Sequence, residues 1–337
     1  MKKTIFFAAM LTAASMFGVD PNQKSTTNIQ DDFTAKIWSN WHGSKVKAKY
    51  SHNKTDGSAA KGSAQITITG KGSALFLKRY SVEPSSLYQA EVMVKSAAKN
   101  STASLSAQNF GMNKKFVNVI GGQTAGISDN WQKINYFFRT SAKTQTVQML
   151  LTFNTPDGGI CLFDDFKMTK VDGIDEFFDT FAANSWGNWK SSKAKMTFTH
   201  DATVGKKAPG SLKIAQLANS AGSGVATKHI PVMPGKTYTL TVFVKAKDLD
   251  PNTKLSLSFQ AQDQNYKFLG LTIPSRAFKA AECADWKQII LTYKVPNTGR
   301  WEKCRTLLVT LGVGTSKTPG AAWFDDFEFF VEETEEE

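Results

Sequence analysis

Residues 234–246, PGKTYTLTVFVKA, decide the fold class of this chain. Leu240, Val242 and Val244 occupy every second position, and residues 84–96, PSSLYQAEVMVKS, repeat the pattern. Successive side chains of a β-strand point to opposite faces of its sheet, so a period of two predicts strands with one buried face. Several other runs of the chain alternate in the same way. The sequence therefore predicts an all-β protein.

These two segments belong to an internal repeat that covers nearly the whole chain. The recurring pairs include Phe33 with Phe181, Trp38 with Trp186, Trp41 with Trp189, His52 with His200, Tyr88 with Tyr238, Gln108 with Gln260, and Phe163-Asp164-Asp165-Phe166 with Phe324-Asp325-Asp326-Phe327. Their spacing grows only in small steps, as loop insertions between fixed strands would produce. At 337 residues and roughly 150 residues per domain, the chain is predicted to form two tandem β-sandwich domains, residues 25–171 and 172–331.

The ends of the chain differ from the repeat. Residues 1–18 join a basic head to an apolar run that ends in small residues, which is typical of a bacterial secretory signal peptide and too short for a spanning helix. The mature protein is predicted to be secreted, or retained at the cell surface or in the periplasm, without membrane insertion. Residues 332–337 form an acidic tail.

The chain is basic, with a net charge of +12. Its lysines are scattered rather than clustered, which favours a solvated lysine-rich surface; attraction to anionic polymers is the alternative. Because nucleic-acid-binding proteins concentrate basic residues in a patch or motif, no nucleic-acid partner is predicted.

The order of motifs in the second copy resembles that of jelly-roll carbohydrate-binding modules of families four, nine and twenty-two. The resemblance rests on the Gly-Lys-Thr-Tyr turn at residues 235–238, on Trp286 and on Phe324-Asp325-Asp326-Phe327. It implies a galactose-binding-like jelly-roll sandwich that binds polysaccharide without catalysis. The family's first strand usually contains Asp-Phe-Glu, whose Glu helps to hold a structural calcium. Here Phe33 is followed by Thr34, and Phe181 by Ala182.

The doubled aspartates form the candidate metal site. If either Phe of the motif faces the core, a carboxylate two positions away lies at or near that core, where it needs a cation, a basic partner or several donors. Calcium, which takes carboxylate and backbone oxygens, is the predicted cofactor. The alternative is a carboxylate satisfied by backbone N–H groups at a strand bulge. The residues concerned are Asp164, Asp165, Asp325 and Asp326.

Aromatic and amide side chains form the candidate sugar site, because indole rings stack on the C–H faces of sugars while amides contact the hydroxyl groups. Residues three apart on an extended segment point to opposite faces, so one Trp of each pair is expected in the core and the other nearer solvent. The candidates are Trp38, Trp41, Gln108, Trp186, Trp189, Gln260, Gln262 and Tyr266.

Catalytic motifs and cysteines give weaker signals. The sequence contains no nucleophile elbow, no His-Glu-x-x-His and no glucanase-type acidic strand, so no enzyme activity is predicted.

Because export permits oxidation, Cys283 and Cys304 are predicted to form a disulfide, whereas Cys161 is expected to be a buried free thiol.

Three functional hypotheses follow from these features. The first is a secreted, non-catalytic polysaccharide-binding protein, in which tandem linkage would raise avidity for a polymer. The second is an exported structural or adhesive protein that binds a protein or the cell envelope and no sugar. The third is an unfamiliar polysaccharide-active enzyme. An exposed groove of aromatic and amide side chains would favour the first hypothesis, and a flat polar sheet with every Trp buried would favour the second.

Overall fold

The computed structural model describes residues 28–33, 38–174, 176–181, 186–207, 210–217, 221–272 and 275–332. The chain divides into two compact units between Asp172 and Gly173. The predicted signal peptide, residues 1–18, lies outside the described residues, as does the acidic tail beyond Glu332. Within the described part of the chain, no helix is long and apolar enough to cross a membrane.

Unit 1 contains eleven strands in two antiparallel sheets. The strands are β1 (Asn28–Asp31), β2 (Ser39–His42), β3 (Lys47–Asn53), β4 (Ser63–Thr69), β5 (Gly72–Ser81), β6 (Leu87–Lys95), β7 (Thr102–Phe110), β8 (Phe116–Gly126), β9 (Gln132–Arg139), β10 (Thr146–Thr155) and β11 (Gly158–Val171). Sheet A has the order β3-β4-β11-β6-β9, with β1 also paired to β11. Sheet B has the order β2-β5-β10-β7-β8.

Unit 2 repeats this arrangement with twelve strands. The strands are β12 (Glu176–Asp179), β13 (Gly187–Lys190), β14 (Met196–Asp201), β15 (Ser211–Gln216), β16 (Gly224–Pro231), β17 (Thr237–Lys247), β18 (Lys254–Gln262), β19 (Phe268–Thr272), β20 (Arg276–Lys279), β21 (Lys287–Lys294), β22 (Thr306–Val313) and β23 (Gly320–Val331). Sheet C has the order β14-β15-β23-β17-β21, with β12 also paired to β23. Sheet D has the order β13-β16-β22-β18-β19, with β20 also paired to β18.

Each core is built from the alternating positions that the sequence shows. Val92 and Val94 of β6 are fully buried, as are Val242 and Val244 of β17. Alternation leaves the other residues of each strand on the outer face of its sheet, where half-burial is the usual state. The prediction of an all-β chain with two tandem β-sandwich units is confirmed.

Candidate functional site

Two of the predicted sugar-binding tryptophans are core residues. Trp38 is 3% exposed and Trp186 is 5% exposed. The indole Nε1–H of Trp38 donates to Asp31 Oδ2 at 2.7 Å, and Trp186 donates to Asp179 Oδ2 at 3.0 Å. In each copy the same carboxylate also accepts the backbone N–H of the Phe two residues later, which fixes the first strand against the core. The structure therefore corrects the assignment of Trp38 and Trp186 to a sugar-contacting surface.

The other two candidates in unit 1, Trp41 and Gln108, lie on the outer face of sheet B. Trp41 packs against a small apolar cluster of Leu75, Leu77 and Leu150. Gln108 is 4% exposed, and its Oε1 accepts from Gln148 Nε2 at 3.4 Å.

Gln148 extends this chain of polar contacts. Its Oε1 accepts from Arg79 Nε at 2.8 Å, and the Arg79 guanidinium lies 4.0 Å from the ring centre of Phe110. The polar side chains of this face are therefore bound to one another, and Gln108 offers a ligand little surface.

The outer face of sheet D in unit 2 is different because Trp189, His229 and Gln260 reach solvent, although Thr310 in its middle is only 7% exposed. Cross-strand pairing places Trp189, Val225, Gly312 and Ser256 in one row across the sheet. Trp189, at the edge of this row, is 59% exposed. The next row along the strands consists of Thr227, Thr310 and Ser258, and Ser258 Oγ lies 2.6 Å from Thr310 Oγ1.

A third row on this face brings an aromatic pair to an amide. His229, Leu308 and Gln260 pair across β16, β22 and β18, and both His229 and Gln260 are exposed. The Tyr266 ring reaches back from the loop after β18 and meets the His229 ring edge-on, with 4.9 Å between centroids. The pair of Tyr266 and His229 thus adds an aromatic contact surface to the row that ends in the exposed amide of Gln260.

Tyr266 and His229 are set in place by local structure. Tyr266 adopts a left-handed backbone with φ of 63°, and its N–H donates to Asp263 O at 3.0 Å in a tight turn. Desolvation and the positive charge of Lys228 lower the pKa of His229. At neutral pH the imidazole is therefore uncharged, so its two nitrogens offer one donor and one acceptor to a hydroxyl group.

Gln262 ends the same face of β18, but it is buried. It is 7% exposed, and its Oε1 has no hydrogen-bond partner among the described residues.

Of the four candidates in unit 2 other than Trp186, the structure brings Gln260, Gln262 and Tyr266 to one end of sheet D and leaves Trp189 at the far edge. Sequence reasoning missed His229, Ser258 and Thr310; the available signal was their place at alternate positions of β16, β18 and β22.

The doubled aspartates lie at a β-bulge in each unit. Strand pairing shifts register after Asp164 in β11 and near Asp325 in β23, and the second aspartate of each pair has a left-handed backbone, with φ of 46° at Asp165 and 47° at Asp326. Asp164 pairs across the sheet with Met93, and Asp325 with Phe243, on the face opposite the core residues Val94 and Val244. Both carboxylates are nevertheless only 2% exposed.

Backbone N–H groups satisfy these buried carboxylates. Asp164 accepts from the N–H of Ser58 at 2.7 Å and of Asp165 at 2.8 Å. Asp325 accepts from the N–H of Lys206 at 2.6 Å and of Asp326 at 2.8 Å. Desolvation nevertheless raises the pKa of both carboxyl groups, that of Asp325 to about 6.

The second aspartates have partners of their own. Asp165 accepts from Ser58 Oγ, and Asp326 Oδ2 lies 3.7 Å from Lys207 Nζ. In unit 2 these groups border a cavity of about 370 Å³ that Asp179 also lines. The described ranges hold no group of three or more His, Cys, Asp or Glu placed to bind a metal. Backbone donors thus satisfy Asp164 and Asp325, whereas the buried Asp326 Oδ2 has no hydrogen-bond partner among the described residues. Calcium stays a prediction.

The predicted Cys283–Cys304 disulfide is not formed, since both residues are buried free thiols. The turn that precedes Cys283 is bonded to Thr253 at the start of β18, whereas the residue after Cys304 is bonded to Gln262 at its end. The segment from Thr253 to Gln262 separates the two regions by roughly 30 Å at about 3.3 Å per residue, far beyond the 7 Å Cα separation that a bridge allows. Cys161 is a buried free thiol, and burial raises its pKa.

Comparison with known proteins returns structures rather than sequence families. No family model matches the chain, and no curated protein matches it. A tandem of two family 22 carbohydrate-binding modules from Paenibacillus barcinonensis is 14% identical to this chain, with a TM-score of 0.34. The match covers 94% of this chain and 100% of the tandem. The structural neighbours of this chain include jelly-roll carbohydrate-binding modules.

Two further neighbours differ in kind. A family 11 carbohydrate-binding module from Clostridium thermocellum, solved with a β-1,3-1,4-mixed-linked tetrasaccharide, is 13% identical and covers 43% of this chain and 97% of its own, with a TM-score of 0.32. An arabinose-bound α-L-arabinofuranosidase is 20% identical and covers 48% of this chain and 27% of its own, with a TM-score of 0.35. The assignment of a ligand to this chain rests on its own residues.

Proposed function

We propose that this protein is an exported, non-catalytic polysaccharide-binding protein whose site is the outer face of sheet D in unit 2. The observation that carries the proposal is the row of His229, Leu308 and Gln260, together with the contact between the Tyr266 and His229 rings. Sugar rings present flat C–H faces for aromatic contact and hydroxyl groups for amides, and this row offers both kinds of contact.

The neighbouring rows supply the rest of a shallow site. The hydroxyl groups of Ser258 and Thr310 lie beside Gln260 along β18 and β22, and Trp189 exposes an indole at the far edge. Hydrolysis of a glycosidic bond uses two carboxyl groups on either side of that bond. The three rows instead present hydroxyl, amide, aromatic and aliphatic side chains, which suits binding without bond cleavage.

Unit 1 contributes less in this proposal. Its matching Gln108 is already bonded to Gln148, and Trp41 is packed on Leu75, Leu77 and Leu150. A ligand would have to displace these contacts, and the buried polar groups would lose their partners. We therefore assign binding to unit 2, and tandem linkage adds no avidity.

Affinity electrophoresis of the full chain tests the proposal. The gels would contain mixed-linkage β-glucan, xylan, β-1,4-galactan or polygalacturonate. Gln260→Ala removes one exposed amide from the site, and Gln288→Ala removes an exposed amide from β21 of sheet C as a matched control. At 0.5–1.5 kcal/mol per lost hydrogen bond, Q260A should weaken retention by about two- to tenfold, and Q288A should not.

A second variant tests the aromatic contact. Tyr266→Ala should abolish retention by the same glycan, because it removes the ring that contacts His229. Retention that is unchanged in both Q260A and Y266A, or reduced equally by Q288A, would place binding elsewhere. Release of shorter sugars from a retained glycan would contradict the non-catalytic part of the proposal.

A further inference from the structure

The end of sheet D that carries Tyr266 is bordered by cationic side chains. Lys267 follows Tyr266 directly and is exposed. The 3₁₀ turn Gly299–Lys303 lies beside β19 and contributes Arg300, which is exposed as well. A Cβ placed on Gly270 of β19 would lie only 3.4 Å from Arg300 Nη1, so the guanidinium rests against this strand.

The turn that carries Arg300 is anchored to the core. The ring centroid of Trp301 lies 5.5 Å from that of Tyr293, which in turn contacts Phe259 at 5.4 Å. The N–H of Arg305, just after the turn, donates to Gln262 O at 2.9 Å. The backbone that carries Arg300 is therefore held near the end of β18 at which Gln262 lies.

The carboxylates at this end of sheet D are fewer than the cationic side chains, and one of them already accepts hydrogen bonds from the backbone. Asp263 Oδ1 accepts the backbone N–H groups of Asn265 at 2.8 Å and of Lys267 at 2.9 Å. Glu302 is exposed within the same turn as Arg300, and Lys303 follows it. The local balance is positive, as it is for the whole chain at +12.

We infer that the ligand of sheet D is an acidic polysaccharide, and that Arg300 and Lys267 bind its anionic groups. This inference rests on the proposed function, since Tyr266 and Gln260 would contact the same sugar chain. A guanidinium presents two parallel N–H donors that match a carboxylate, which points to uronic acid residues. A sulfate ester offers the same charge, so the experiment separates the two.

The test uses the full chain and three polymers. Polygalacturonate carries one carboxylate per sugar, its methyl ester has the same backbone without charge, and dextran sulfate carries sulfate on a different backbone. Wild type should bind polygalacturonate at least about tenfold more tightly than the methyl ester, and rising salt should weaken the binding because exposed charge pairs are screened. Comparable binding of dextran sulfate would extend the site to sulfate, and binding of dextran sulfate alone would overturn the assignment to uronic acids.

Charge-removing variants localise the effect. Arg300→Gln combined with Lys267→Gln should weaken binding to polygalacturonate by about five- to tenfold, at up to about 1 kcal/mol for each exposed pair. Lys294→Gln on β21 removes another exposed lysine and should change nothing.

The outcomes separate the two proposals. An equal loss in K294Q would mean unspecific charge attraction and would overturn the inference. A neutral glycan bound through Gln260 and Tyr266, with no effect of the Arg300 and Lys267 substitutions, would overturn the inference and leave the proposed function standing. If no glycan binds at all, both fail.

Discussion

At the scale of single residues, burial separates tryptophans that look alike in the sequence. Trp186 and Trp189 lie three positions apart, yet Trp186 is 5% exposed and Trp189 is 59% exposed. The difference follows from Asp179, whose carboxylate accepts the Trp186 indole N–H at 3.0 Å and so fixes that ring inside unit 2. Trp38 and Asp31 repeat this contact in unit 1 at 2.7 Å.

This contact predicts that replacing Trp by Phe changes the stability of the protein more at position 186 than at position 189. Trp186→Phe keeps an aromatic ring but removes a hydrogen bond to a carboxylate, so it should lower the free energy of unfolding by about 1.5–3 kcal/mol. Trp189→Phe, at an exposed edge, should change it by less than about 0.5 kcal/mol. Urea denaturation followed by circular dichroism measures both. Equal effects of the two substitutions would contradict the structural role given to Trp186.

The sequence predicted that one Trp of each pair is buried, because residues three apart on a strand face opposite ways. It could not predict which one, since the choice depends on Asp31 and Asp179, whose roles appear only once the first strand is paired with the last. The sequence could not predict the contact between His229 and Tyr266 either. It depends on the register of three neighbouring strands, which local periodicity does not specify.

At the scale of elements, the bulges in β11 and β23 show how a strand accommodates a buried carboxylate. Asp164 and Asp325 each accept two backbone N–H groups, one from the next residue and one from a loop that crosses the strand. The left-handed backbone of Asp165 and Asp326 makes this geometry possible. The repeated Phe-Asp-Asp-Phe string predicted a buried carboxylate correctly, but its partners come from loops distant in sequence.

The bulge geometry gives a prediction about metal removal. Because donors of the chain already satisfy Asp164 and Asp325, chelation should shift the melting temperature by less than about 1 °C, since only a ligand bound to the folded state adds stability. Melting curves recorded with EDTA and with added calcium should superimpose. A melting temperature several degrees lower in EDTA, restored by calcium, would show that a cation completes these sites.

At the scale of the whole molecule, the two copies share a fold but differ at the matching face. The outer face of sheet B carries the bonded chain of Arg79, Gln148 and Gln108, whereas the outer face of sheet D leaves Gln260 and His229 exposed. The internal repeat predicted the shared fold, because periodicity and spacing survive divergence. It also placed candidate sugar-binding residues in both copies, and the contacts on sheet B do not favour those of unit 1.

The most direct test of this account is to map the bound glycan on the full chain by amide chemical shifts in transverse-relaxation-optimised NMR spectra. A saturating amount of the polysaccharide with the strongest retention would be added to deuterated protein. We expect the shifts to concentrate at Thr227, His229, Ser258, Gln260 and Tyr266 of unit 2, and the amide signals of Gln108 and Gln148 in unit 1 to stay unchanged. Shifts centred on sheet B, or on the outer face of sheet C, would contradict it.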